Sequence, residues 1–190
     1  MLQHLPNQLT MGRIAIIPVI LLLMLLESPT SSWAALVLFV LAALTDWLDG
    51  YLARKQKLVS DFGRVMDVIA DKLLISAVLL VLVNLRSISG LLIFPAIIIL
   101  MREVAVSGLR EFLAEVRVRV PVSKLAKWKT ASQLFALPFL IISHHAPAAI
   151  PAHNIGSVLL WIAGVLTLIT GWDYLRANLQ HMSEKPPSNP

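Results

Sequence analysis

Cysteine is absent from all 190 residues of the chain. Disulfide bonds, thiolate metal ligands and a cysteine nucleophile are therefore excluded, so a bound metal ion would need oxygen or imidazole ligands. Charge is also scarce, because Asp, Glu, Lys and Arg together make up 14% of the sequence. Soluble domains usually contain about 25% charged residues, so this is not the composition of an ordinary soluble domain.

Long apolar runs dominate what is present, since hydrophobic residues make up 57% of the chain. A helix needs about 20 mainly apolar residues to cross a bilayer. Six runs approach that length, at 9–26, 33–52, 65–83, 91–113, 128–143 and 155–175. The sequence therefore predicts an all-α, polytopic integral membrane protein with six transmembrane helices. We expect one domain over residues 1–183 and a disordered, proline-rich cytoplasmic tail at 184–190.

Basic residues are distributed unevenly between the two membrane sides that six spans would create. Lys72 and Arg102 fall inside spans, and Arg86 is the one basic residue on the side opposite the termini. Cytoplasmic loops are enriched in Lys and Arg, so both termini and the segment 46–71 are expected to face the cytoplasm. The net charge of +5 follows the same rule. No nucleic-acid-binding module is recognisable, and nucleic acid is not an expected partner.

Four aspartates stand at helical spacing within 26 residues of this apolar chain. Asp46 and Asp49 are one helical turn apart, and so are Asp67 and Asp71. A short polar connection separates the pairs, so two antiparallel helices would bring the four carboxylates together at one membrane end. Carboxylates so placed repel one another, and each costs roughly 2.5–3.5 kcal/mol in a membrane helix. We expect divalent cations between them, and oxygen ligands favour Mg²⁺, Mn²⁺ or Ca²⁺.

Two alternatives compete with a catalytic metal site. In the structural alternative, the aspartates cap helices or pair with nearby cations, namely Arg54, Lys55, Arg64 and Lys72. Small residues on the same helical faces, Gly50 and Ala53, favour a ligand site because they let a ligand approach the backbone. In the other alternative the chain is a divalent-cation transporter, although no matching acidic cluster lies at the other membrane end.

The run from Asp46 to Asp71, Asp-x-x-Asp-Gly-x-x-Ala-Arg-x8-Gly-x3-Asp-x3-Asp, resembles at every fixed position the motif of the CDP-alcohol phosphatidyltransferases. This resemblance implies a six-span membrane enzyme with two divalent ions, Mg²⁺ or Mn²⁺. It also implies transfer of a phosphatidyl group from CDP-diacylglycerol to an alcohol, with release of CMP. A homodimer in a bacterial cytoplasmic (inner) membrane is implied as well.

The resemblance also suggests roles for particular residues. Asp46, Asp49, Asp67 and Asp71 would hold the metal ions, and Asp71 would also act as the catalytic general base. The candidates for binding CDP-diacylglycerol are Thr10, Asp46, Gly50, Ala53, Arg54, Gly63 and Asp67.

The acceptor alcohol is not chosen by this motif. Segments 7–13, 102–111 and 124–130 look like those of bacterial family members whose acceptor is sn-glycerol 3-phosphate. A phosphomonoester carries about two negative charges at neutral pH, so cations should bind it. The candidates are Arg13, Arg102, Arg110, Lys124 and Lys127. Phosphatidylglycerol, serine and inositol phosphate remain alternative acceptors.

No ligand-binding role is expected for the remaining charged residues of these segments or for the histidines. Arg117, Arg119 and Lys129 are expected to be ordinary membrane-surface residues, and Glu103 is expected to point away from Arg102 on the helix. His144, His145 and His153 would lie across the membrane from the aspartates and are not expected to bind metal.

Overall fold

The computed structural model describes residues 5–56, 61–115 and 124–183. Within these ranges it does not describe the side chains at 5–10, 46–56, 61–65, 67, 112, 114–115, 124, 126 and 177–183. The predicted tail at 184–190 lies outside the described residues. The described part of the chain forms six α-helices and no β-strand, which confirms the all-α prediction for that part.

The six helices follow the six apolar runs of the sequence. They are α1 (Leu5–Leu25), α2 (Pro29–Gln56), α3 (Asp61–Asn84), α4 (Ile93–Glu115), α5 (Lys124–Ile141) and α6 (Ala152–Ser183), with a 3₁₀ turn at Gly90–Leu92 before α4. Each helix extends beyond its predicted span at the end that carries the aspartates and most basic residues. Charged residues end an apolar run, but they do not interrupt backbone hydrogen bonding, so each helix continues past the end of its apolar run.

The surface of the bundle is strongly apolar. Two helical segments, Gly90–Glu111 and Ala152–Arg176, are long and apolar enough to cross a membrane, and the described residues include two shorter apolar segments, Met11–Leu25 and Pro29–Thr45. Leu91 in the 3₁₀ turn, and Met101 and Val104 on α4, are all more than two-thirds exposed. Apolar surface of this extent marks contact with lipid or protein rather than water. The chain is a membrane protein.

Packing joins the helices into one bundle. The first helix, α1, lies against both α2 and α3, so it bridges the two helices that carry the aspartates. The last helix, α6, packs along α5 and α4. The contact between α6 and α4 is close, because a Cβ atom added to Gly164 would lie only 2.7 Å from the Cβ of Pro95. Glycine is the residue that permits this approach.

Three connections meet at one end of the bundle. The hydroxyl of Ser32, at the start of α2, hydrogen-bonds Nδ1 of His145 in the α5–α6 connection at 3.0 Å. Ser143 Oγ donates to Ser87 Oγ, in the α3–α4 connection, at 3.1 Å. We call this the connection end. Because α2 runs away from it and α3 runs toward it from Asp61, Asp46, Asp49, Asp67 and Asp71 lie toward the opposite end, the aspartate end.

Candidate active site

A cavity of about 590 Å³ lies between α3, α4 and α5, in the half of the bundle toward the aspartate end. Its polar lining is strongly charged. The basic residues that line it are Lys72, Arg102, Arg110, Lys127 and Lys129, and the acidic ones are Asp71 and Glu103. Basic side chains outnumber acidic ones, so the cavity fits an anionic ligand.

Asp71 places the last carboxylate of the aspartate motif on the wall of this cavity. Its side chain is exposed, which leaves it accessible to a ligand. Asp67 lies one turn earlier on α3, and Asp46 and Asp49 lie on α2. The side chains of these three aspartates are not described, and neither are those of Thr10, Ala53 and Arg54. The burial of Gly50 and Gly63 is not described either. The predicted metal site therefore stays a prediction, although its all-carboxylate donor set fits hard divalent ions.

Three charged side chains form an ion-pair network inside the cavity. Glu103 Oε1 pairs with Lys129 Nζ from α5, and Arg102 Nη1 lies 3.4 Å from the same oxygen. Only 5% of Lys129 is exposed. The network therefore contains a buried lysine with a specific carboxylate partner, and its three members come from two helices.

Two expectations from the sequence were wrong here. Lys129 is a buried cavity residue and not a membrane-surface one, because its side chain lines the cavity between α3, α4 and α5 and pairs there with Glu103 of α4. Glu103 does not point away from Arg102, because the long arginine side chain bends toward its neighbour's carboxylate. A signal was present in the sequence, since Glu103, Ser107 and Arg110 form a polar stripe at helical spacing on an otherwise apolar helix.

Packing against α6 fixes the stem of Arg102. A Cβ atom on Gly171 would lie 3.1 Å from Arg102 Cγ, which is tighter than ordinary contact. The glycine thus leaves room for the arginine stem between α4 and α6. Because the stem is held there, the guanidinium group reaches the cavity and Glu103.

The predicted phosphate-binding residues separate into three groups. Arg102, Arg110 and Lys127 line the cavity together with Asp71, and their binding of a phosphate stays a prediction. The side chain of Lys124 lies outside the described residues. Arg13 on α1 is 3% exposed and is not among the described residues that line the cavity.

Several lining atoms are buried without a hydrogen-bond partner. They are Arg102 Nε, Ser107 Oγ and Gln133 Nε2. A buried polar atom left unpaired costs about 1–3 kcal/mol. Three such atoms around one cavity fit a polar ligand that would complete their hydrogen bonds. Sequence reasoning singled out neither Ser107 nor Gln133.

Comparison with known proteins identifies the family. The model of the family described as CDP-alcohol phosphatidyltransferase matches residues 3–169. A Rickettsia bellii protein named CDP-diacylglycerol–glycerol-3-phosphate 3-phosphatidyltransferase is 48% identical over 175 residues, which cover 92% of this chain and 95% of the relative. A Bacillus subtilis protein of the same name is 38% identical over 187 residues, with 92% and 95% covered. An Oryza sativa protein named cardiolipin synthase (CMP-forming) is 38% identical over 185 residues, covering 90% of this chain and 56% of the relative. With its aspartate motif, its helical membrane bundle and these similarities, the chain belongs to the CDP-alcohol phosphatidyltransferase family.

Proposed function

We propose that the chain is a phosphatidylglycerophosphate synthase. It transfers the phosphatidyl group of CDP-diacylglycerol to sn-glycerol 3-phosphate, giving phosphatidylglycerophosphate and CMP. The observation that carries this proposal is the cationic cavity beside Asp71, with Arg102, Arg110 and Lys127 on its walls. A cavity of this charge suits a small phosphorylated acceptor better than a neutral one. The names of the Rickettsia and Bacillus relatives support the same acceptor.

Divalent metal ions are used by this family. In this chain, Asp46, Asp49, Asp67 and Asp71 would hold two of them, Mg²⁺ or Mn²⁺, because carboxylate oxygens are the ligands these ions prefer. When bound, the ions would stabilise the negative charge that develops on the diphosphate as CMP leaves.

The two substrates occupy different parts of the site in this proposal. Asp46, Asp67, Gly50, Ala53, Arg54, Gly63 and Thr10 would bind CDP-diacylglycerol. Arg102, Arg110 and Lys127, with Lys124 and Arg13 as the further candidates from sequence, would bind the acceptor phosphate. Bidentate guanidinium–phosphate hydrogen bonds make arginine well suited to this task.

Asp71 would act on the reacting hydroxyl of the acceptor. Its carboxylate takes the proton of the 1-hydroxyl, and the oxygen attacks the phosphatidyl phosphorus. A new P–O bond forms as the P–O bond to CMP breaks, and CMP leaves with the electron pair. Direct displacement needs no covalent enzyme intermediate, and the chain has no cysteine to form one by thiolate attack.

We also propose that the chain has six transmembrane helices and forms a homodimer. The helices would cross a bacterial cytoplasmic (inner) membrane with both termini and the active site facing the cytoplasm. The excess of Lys and Arg at the aspartate end supports this orientation.

A panel of acceptors tests the reaction. CMP release from CDP-diacylglycerol is measured with purified protein and Mg²⁺ or Mn²⁺, using sn-glycerol 3-phosphate, serine, inositol phosphate or phosphatidylglycerol. We expect CMP release with sn-glycerol 3-phosphate and with none of the other three acceptors. Release with phosphatidylglycerol instead would assign a cardiolipin-forming reaction, as named for the Oryza relative. No release with any acceptor, from folded protein, would contradict the proposal and favour the cation-transporter alternative.

A further inference from the structure

We infer that Gln133 is a specificity residue whose side-chain amide binds the secondary hydroxyl, on carbon 2, of the acceptor sn-glycerol 3-phosphate. This inference rests on the proposed function and deepens it. The cations of the cavity account for the phosphate, and Asp71 accounts for the reacting hydroxyl. The secondary hydroxyl is the polar group of the acceptor that these residues leave unassigned.

Gln133 is unusually placed for a polar residue on a membrane helix. It lies on α5, one helical turn beyond Lys129, and only 4% of it is exposed. Its side chain lines the cavity, and its Nε2 is buried without a hydrogen-bond partner. An amide that is buried without a hydrogen-bond partner is costly, so a polar ligand in the cavity is the natural partner for this group.

The chemistry of an amide matches that of an alcohol. A glutamine side chain both donates and accepts hydrogen bonds, and so does a hydroxyl group. The match therefore holds for either orientation of the amide. Lysine and arginine only donate, and the carboxylate of Glu103 already pairs with Lys129 and Arg102. These charged residues are better suited to the acceptor phosphate and to one another.

Ser107 is the nearest competitor for this role. Its Oγ is also buried without a partner and lines the same cavity from α4. A helical serine can satisfy its hydroxyl by rotating it toward the carbonyl four residues earlier. The longer glutamine side chain has no such local backbone partner when it lines a cavity. Gln133 therefore has the stronger requirement for a ligand.

A substrate that lacks only the secondary hydroxyl provides the test. The probe is 3-hydroxypropyl phosphate, which keeps the phosphate and the reacting primary hydroxyl. A site that hydrogen-bonds a hydroxyl discriminates against an analogue without it, because its own polar group is then left unpaired. We expect wild-type kcat/KM to be roughly tenfold or more higher for sn-glycerol 3-phosphate than for the probe.

The variant Gln133→Met removes the amide and keeps most of the volume. We expect kcat/KM for sn-glycerol 3-phosphate to fall roughly tenfold, whereas the value for 3-hydroxypropyl phosphate stays within about twofold, so the preference disappears. The matched control is Ser132→Ala on the same helix. Its hydroxyl donates to the carbonyl of Trp128 at 2.9 Å, and Ser132 is not among the described residues lining the cavity. This control should keep the wild-type preference.

Three results would overturn the inference. An equal fall in kcat/KM for both acceptors in Gln133→Met would show that the residue does not bind the secondary hydroxyl. Equal kcat/KM values for both acceptors with the wild-type enzyme would show that no residue of the site selects for the secondary hydroxyl. This result does not depend on whether the variant folds. In both cases the proposed reaction would stand. If the wild-type enzyme does not use sn-glycerol 3-phosphate at all, the proposed function fails together with the inference.

Discussion

Arg110 illustrates at the residue scale how the cavity would select its acceptor. It is an exposed cation on the cavity wall, on the same side of α4 as Glu103 and Ser107. Replacing it with Gln should raise KM for sn-glycerol 3-phosphate about tenfold to a hundredfold, because charge-assisted hydrogen bonds contribute about 1.5–3 kcal/mol. KM for CDP-diacylglycerol should change little. The control is Arg86→Gln at the connection end, and equal effects of the two variants would contradict a phosphate-binding role for Arg110.

The Glu103–Lys129 pair gives a second prediction at this scale. Glu103→Gln leaves the buried Lys129 ammonium without its partner, and breaking a buried ion pair costs about 3–5 kcal/mol. The unfolding temperature in detergent should therefore fall clearly. Adding Lys129→Met to that variant removes the unpaired ammonium group and should recover much of the lost unfolding temperature. A double variant less stable than Glu103→Gln would show that the pair is not the source of the stability.

Between secondary-structure elements, the close packing of α4 against α6 predicts how two glycine substitutions change the stability of the protein. A Cβ atom at Gly164 would lie 2.7 Å from Pro95 Cβ and 3.1 Å from its Cα, so Gly164→Ala must push the two helices apart. Overpacking of this kind costs about 1–3 kcal/mol. Gly108→Ala, also on a helix, meets nothing within 4 Å and should be neutral or stabilising by up to about 1 kcal/mol. Thermal unfolding of the two variants measures the difference, and equal stability would contradict the packing argument.

The helices could be predicted from the sequence, whereas their mutual contacts could not. Runs of apolar residues located all six helices because the membrane requires about 20 such residues per span. The burial of Lys129 depends on which helix lies beside α5, and composition carries no such information. The same holds for Glu103, whose partner is 26 positions away in the chain. The local spacing of Asp46 to Asp71 predicted a site, because that signal lies within two consecutive helices.

At the scale of the whole molecule, the orientation in the membrane is open to a direct test. The chain has no cysteine, so a single introduced cysteine reports on one position without background. Ser89→Cys lies at the connection end and Arg176→Cys lies toward the aspartate end, and both positions are exposed. A membrane-impermeant maleimide should label intact cells only at position 89, and position 176 only after permeabilisation. The reverse pattern would contradict a cytoplasmic active site.

The proposed activity of the whole molecule depends on the carboxylate of Asp71 and on the presence of an acceptor. The most direct measurement compares CMP release with saturating sn-glycerol 3-phosphate and Mg²⁺ for the wild-type protein, Asp71→Asn and the matched control Asp173→Asn. Asp173 is an exposed aspartate on α6 that is not among the described residues lining the cavity. We expect the wild type and Asp173→Asn to release CMP and chelation to abolish this release. Asp71→Asn should retain less than about 1% of it, the scale expected when a general base is lost. Wild-type-like release by a folded Asp71→Asn protein would contradict a general-base role for Asp71.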